Sequence, residues 1–253
     1  MFLAWSEDEG RTWGPPIPIP PPLDPDRYSC NGSGVLLMLS DDRWMYPFET
    51  WLPTGATGPL DQKAAAIFSS DQGKTWGEMA VVADDPTGRY IHWDHSGTVL
   101  PPDARGRGRG RIYETMWVRD TEVNADLSIH FTLSQDDGRT WSLPRPTGLI
   151  GQASAPIALP DGRVAVLYTH RTEPEGVRLA IGYENFDEEI VIFDAGDEAL
   201  LGDPDRSDAL ATNMAQGFGK MGGVLLKTGE LMVTYWGTVN GVSHCRWATV
   251  QVD

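Results

Sequence analysis

Short runs of alternating apolar and polar residues fill the chain, rich in β-branched and aromatic side chains and closed by Gly, Pro or Asp. No convincing helical apolar stripe stands among them, so the pattern predicts an all-β fold. The strands group in fours. Residues 35–39, 44–51, 64–69 and 78–83 make one group, and residues 97–100, 112–119, 128–134 and a short strand near 146–149 make the next. A third group covers 155–159, 164–169, 177–183 and 189–194, and a partial one covers 223–226, 231–236 and 242–250. The turns between first and second strands also recur, as Ser40-Asp41-Asp42-Arg43, Pro160-Asp161-Gly162-Arg163 and Lys227-Thr228-Gly229-Glu230. The run Ile17-Pro18-Ile19-Pro20-Pro21-Pro22 fits a stiff crossover between groups.

A second, longer pattern is superimposed on the alternation. Ser-x-Asp-x-Gly-x-Thr-Trp occurs as Ser6 to Trp13, Ser69 to Trp76 and Ser134 to Trp141. The interval is nearly constant at about 64 residues, which marks a repeated structural unit. Each residue type has a local task. Ser and Asp side chains bond backbone N–H groups in a tight turn, Gly takes positive φ, and Trp brings a large apolar ring for burial. Each copy follows a strand and so sits at a hairpin corner.

These repeats resemble the Asp boxes, or bacterial neuraminidase repeats, of the sialidase superfamily. The resemblance implies a β-propeller of four-stranded antiparallel blades, six-bladed in that family, forming a single domain over residues 1–253. The sequence supplies about 17 strands where six such blades need roughly 24. The chain is therefore expected to be a propeller lacking amino-terminal strands, or a ring closed with five blades. Missing strands would leave open blade edges and invite self-association.

Charge and composition narrow the partners. A formal net charge of −16 over 253 residues argues against nucleic acid or an anionic membrane surface. No stretch approaches the roughly 18 apolar residues of a membrane helix, and no signal peptide is visible. Cys30 and Cys245 lack metal-ligand spacing and are expected to be unpaired thiols, unless a ring closure joins them. The basic run from Arg105 to Arg111 reads as a solvated hairpin loop.

In such blades the starts of first strands and the ends of second strands share one face around the central channel, opposite the repeat corners. That face gathers Tyr28 to Asn31, His92-Trp93-Asp94-His95, Gln152 to Ser154 and Asn213 to Gln216, with Glu49 to Trp51, Trp117 to Asp120, Tyr168 to Arg171 and Tyr235-Trp236. The resemblance implies an exo-α-sialidase-type glycoside hydrolase that removes terminal acidic sugars. Arginines then grip the substrate carboxylate, and a neutral Tyr activated by Glu is the nucleophile, because a carboxylate would be repelled.

Carried onto this chain, Tyr235 is the nucleophile, Glu49 its activating acid and Asp94 the general acid. Glu114 is the poorer choice, since it starts its strand. Arg119 and Arg171 are the carboxylate clamps, with Arg178 in reserve, and His92 and His95 contact substrate. No full arginine triad can be assembled, and no cofactor or metal is expected, although His92-x-Asp94-His95 has the residue types of an open metal site. Each assignment has a bland counterpart: Arg171 paired with Glu173 or Glu175, Arg119 paired with Asp120 or Glu122, Tyr235 as strand filler. The competing functions are a non-catalytic carbohydrate-binding propeller with platforms Trp51, Trp93, Trp117 and Trp236, and a protein-binding scaffold. The strong negative charge repels an anionic sugar at long range, so local arginines must overcome that field or the substrate is neutral.

Overall fold

The computed structural model describes residues 1–59, 61–198 and 215–252. Asn213 and Met214, placed on the channel face from sequence, lie outside the described residues. Nearly all regular structure is β. A short ribbon pairs β1 (Phe2–Leu3) with β2 (Ile17–Pro18). Blade A runs from β3 (Ser29–Gly32) and β4 (Leu37–Met38) through β5 (Trp44–Trp51) and β6 (Lys63–Ser69) to β7 (Glu78–Asp84). Blade B contains β8 (Tyr90–Val99), β9 (Ile112–Asp120), β10 (Ala125–Asp126), β11 (His130–Ser134) and β12 (Arg145–Pro146). Blade C is β13 (Ser154–Ala158), β14 (Val164–His170), β15 (Gly176–Gly182) and β16 (Phe186–Asp194). Blade D is β17 (Phe218–Leu225), β18 (Glu230–Val239) and β19 (Val242–Gln251). All pairings are antiparallel, and the blades form a β-propeller.

The core lies between blades, which explains why second strands are apolar on both faces. Along β9, Ile112, Met116 and Val118 pack towards Met45, Ala64 and Phe68 of blade A. Tyr113 turns the other way, onto Ile129, Val164 and Val166. A third cluster joins Leu167 and Leu179 of blade C to Phe218, Leu231 and Tyr235 of blade D.

First strands differ most from the sequence expectation. The strand expected at 35–39 is reduced to Leu37–Met38, and a separate strand, Ser29–Gly32, precedes it with Gly34 at φ +52° in the break. A Cβ at Gly34 would stand 2.7 Å from the His95 carbonyl oxygen, so both its conformation and its space require glycine. The strands expected at 97–100 and 223–226 begin earlier, at Tyr90 and Phe218.

The three eight-residue repeats share one hydrogen-bond set. In the second copy, Gly73 N donates to Ser69 Oγ (2.8 Å), Thr75 N to Asp71 Oδ1 (2.8 Å) and Trp76 Nε1 to the Gly73 carbonyl (3.1 Å). The Thr75 amide, helped by the Thr75 hydroxyl, lowers the Asp71 pKa to about 2. Carboxyl NMR should therefore find Asp71 titrating near 2, and Thr75→Val should raise that midpoint. An Asp71 midpoint in the ordinary range near 3.8 would show that the turn is not formed. Trp76 and Trp141 are half-buried, as wedges between strands should be: Trp76 meets Tyr46 edge-on and Trp141 packs on the A–B core. Trp13 is a correction. Its ring is 64% exposed and its Nε1 bonds only the Gly10 carbonyl of its own turn.

Strand β19 ends its sheet among the described residues and leaves Trp247 68% exposed. Open edges with apolar side chains recruit other strands. We expect light scattering to show a mass that rises with concentration, and Trp247→Lys to reduce that rise. A constant monomer mass would remove the edge as an association site.

Candidate active site where the blades meet

Two irregularities build the site. In β8, Asp94 and His95 together oppose Met116 of β9, and Asp94 takes φ +45°. In β17, Lys220 and Met221 together oppose Tyr235 of β18, and Lys220 takes φ +35°. Bulges re-aim side chains, and left-handed non-glycine residues need support from their surroundings. Here the two bulges face each other, with Lys220 Nζ 4.0 Å from Asp94 Oδ1.

Glu49 supports the Asp94 bulge. It is 2% exposed, accepts a hydrogen bond from the Asp94 backbone N–H, and accepts another from Trp51 Nε1 at 3.2 Å. Burial raises its pKa; the His95 charge opposes the rise and the Asp94 charge adds to it. Both bonds steady the carboxylate form without outweighing burial. Beside it stands an aromatic column: Trp51 lies 5.5 Å from Trp93, which stacks at 4.1 Å on Trp117.

Below the bulge, His95 is fully buried, with Nδ1 on Glu114 Oε1 and Nε2 2.9 Å from the Phe48 carbonyl. Burial alone would lower its pKa, but Glu114, Glu49 and the Phe48 carbonyl together raise it. Both ring nitrogens face oxygen acceptors, the arrangement an imidazolium makes, and its place is inside the protein rather than against substrate. His92 is also buried. Burial brings its pKa down to about 4, so it is neutral, and its backbone pairs with Gln62.

The arginines separate into different environments. Arg171 reaches the site from the end of β14, close enough to Asp94 for its charge to be felt. Its Nε donates to Gln152 Oε1 (3.2 Å), its Nη1 to Gln216 Oε1 (2.6 Å), and its plane lies 4.3 Å above the Phe218 ring centre. Burial lowers its pKa to about 10, opposed by Glu175 and Asp94, so it stays charged at neutral pH. Arg119 is joined to the same network at a distance: its Nη1 donates to Asp126 Oδ1 (2.6 Å), whose Oδ2 accepts from Gln152 Nε2 (2.8 Å). Arg178 is 2% exposed and spends its Nη groups on the Pro174 and Phe193 carbonyls, which ties down a loop inside blade C.

Tyr235 does not meet Glu49. No hydrogen bond joins them among the described residues, and the Tyr235 ring packs in the C–D core, 5.5 Å from Phe193. The cause is register. Tyr235 stands opposite its bulge as Met116 stands opposite the other, and both side chains point into the space between blades. The structure thus brings together Glu49, Asp94 and Arg171, adds Lys220, and leaves Tyr235, Arg119, Arg178, His92 and His95 behind them. Among the described residues, no three His, Cys, Asp or Glu side chains are placed to hold a metal ion.

Antiparallel blades of three to five strands build a β-propeller fold. The chain belongs to the BNR repeat-like domain family, whose model matches residues 1–199. It is similar in structure to a protein of unknown function from Dyadobacter fermentans, at 20% identity and TM-score 0.73, covering 100% of this chain and 64% of that one. It is also similar to the NanB sialidase K499G mutant from Streptococcus pneumoniae (16% identity, TM-score 0.62, 99% of this chain and 35% of that one). An α-L-arabinofuranosidase from Fusarium graminearum matches at 15% identity and TM-score 0.58, over 89% of this chain and 63% of that one. The chain spans less than two thirds of the length of each of these three. No curated protein matches it in sequence.

Proposed function

We propose that this propeller is a glycoside hydrolase that removes a terminal acidic sugar, with acid–base chemistry resting on Glu49 and Asp94 and water attacking in place of the tyrosine of the sialidase scheme. The observation that carries the reading is the meeting of the buried Glu49 with the more exposed Asp94 at a bulge, with Lys220 and Arg171 near the Asp94 carboxylate. A carboxyl group whose environment holds its proton to higher pH suits a general acid, and a second, more exposed carboxyl beside it suits the complementary role. In this scheme Glu49 protonates the leaving oxygen, and Asp94 activates the attacking water. Arg171 and Lys220 neutralise both Asp94 and the carboxylate of the sugar, which answers the repulsion expected between two anions. Tyr235 has no part in the chemistry.

A second reading has its own support. The partly exposed Trp51 and Trp93, backed by the buried Trp117, form an aromatic surface of the kind that holds sugar rings, and it would serve a binding propeller equally well. A panel of fluorogenic glycosides separates the two. Turnover of a sialoside, with Arg171→Lys raising KM about tenfold while neutral glycosides are unaffected, supports the proposed enzyme. Binding without turnover of any glycoside in the panel leaves the binding module.

A further inference from the structure

Beside the aromatic column lies an open cleft of about 550 Å³, lined by Arg27, Tyr28, Trp51, Asp61, Lys63 and Asp84 among others. Its size suits a small ligand. Its cations are already matched to carboxylates: Tyr28 Oη bonds Asp61, and Lys63 Nζ bridges Asp61 Oδ1 (2.5 Å) and Asp84 Oδ2 (3.0 Å). Arg27 reaches Asp61 as well, at 3.3 Å. The lining carries one further carboxylate, Asp85, which accepts from the Thr87 N–H and hydroxyl and from the Tyr90 N–H, so the cleft disfavours an anion and its two cations are already paired. It does offer alternating donors and acceptors at its rim and an indole at one side, which is the chemistry of an uncharged polyhydroxylated ring.

Trp51 belongs to two places at once. Its ring lines this cleft, while its Nε1 donates to Glu49 Oε2 at 3.2 Å. We propose that the cleft is a second binding site for a neutral sugar, and that Trp51 transmits its occupancy to the Glu49 carboxyl. A sugar settling on the indole shifts the ring and so strengthens or loosens the hydrogen bond that Glu49 accepts from Trp51 Nε1. The groups facing Glu49 are the Asp94 amide and carboxylate and the His95 imidazolium, itself held by Glu114. Apart from Trp51, none of them lines the cleft, so Trp51 is the connection between the two sites. Cleft recognition stands independently of the catalytic reading; only the consequence for turnover rests on it.

The test uses the full chain and methyl β-glucoside as probe. In ¹⁵N spectra the Trp51 indole signal should shift saturably with the sugar, and the Glu49 carboxyl titration midpoint should move when the sugar is bound. Lys63→Met and Asp61→Asn should each weaken binding about tenfold, the cost of losing one charged hydrogen-bonding group. Trp51→Phe, which keeps a ring but removes the N–H, should still bind the sugar and leave the Glu49 midpoint unresponsive. No Trp51 shift, an equal affinity in Lys63→Met, or a shift produced by sulfate instead of the sugar would overturn the proposal. A chain that binds the sugar at Trp51 yet hydrolyses no glycoside supports the cleft and removes the catalytic reading. Hydrolysis without any Trp51 shift does the reverse.

Discussion

Replacing Glu114 by Ala should cost about 3–5 kcal/mol of folding stability, because it leaves a buried partner uncompensated. Glu114 and His95 have no exposed surface, and Glu114 Oε2 already lacks a hydrogen-bond partner among the described residues. The His95 charge therefore depends on Glu114. Glu114→Gln keeps an oxygen to accept from Nδ1 and should cost less, with the same sign. The pH dependence gives a second reading. The folded-state pKa of His95 lies above its ordinary value of 6.5, so protonation of His95 stabilises the fold fully below about pH 6.5. That contribution is lost as pH rises through the raised folded value. Glu49 acts in the same direction, since its folded pKa is raised above 4.5 and ionising it inside the protein opposes folding. Urea melts should show wild-type stability falling from pH 6 to pH 9, and a flatter profile in Glu114→Gln. A stability that rises over that range would contradict the buried imidazolium.

The second large effect concerns turnover. Asp94 N–H and Trp51 Nε1 bond different oxygens of Glu49, so Glu49→Gln keeps the shape and an acceptor for one of the two, and it has no proton to give. A positioned general acid contributes roughly 10²–10⁴-fold, so kcat should fall by about that much with little change in KM. Since Glu49 also steadies the Asp94 bulge, Glu49→Ala should lose binding as well, and the contrast between the two variants separates chemistry from positioning.

The architecture was largely readable from the sequence because turns and alternation are local. The repeats at Ser6, Ser69 and Ser134 make their own hydrogen bonds, so each identifies its corner wherever it occurs. The site was less readable because it is made by departures from alternation. His92 to His95 looked like a segment before a strand, whereas it is a strand interrupted by a bulge at Asp94. The Phe218-Gly219-Lys220-Met221 segment fell before the expected strand at 223–226, so Lys220 was missed; its glycine-rich, weakly alternating sequence gave no strand signal. Tyr235 was assigned to the face by topology, but the bulge opposite it fixes which way its ring turns, and a bulge leaves no mark in one strand's own sequence. Arg119 was expected as a substrate clamp with Arg178 in reserve, yet which carbonyl or carboxylate each one meets depends on loops such as 120–126 and 171–175.

The most direct measurement of the central claim is the pH profile of kcat/KM on a fluorogenic sialoside for the wild type and Glu49→Gln. The account predicts a bell in the wild type. Its alkaline limb reports Glu49 losing its proton at a pH above the ordinary carboxyl range, and that limb is missing from the residual activity of Glu49→Gln. An unchanged bell and an unchanged rate in Glu49→Gln would contradict it.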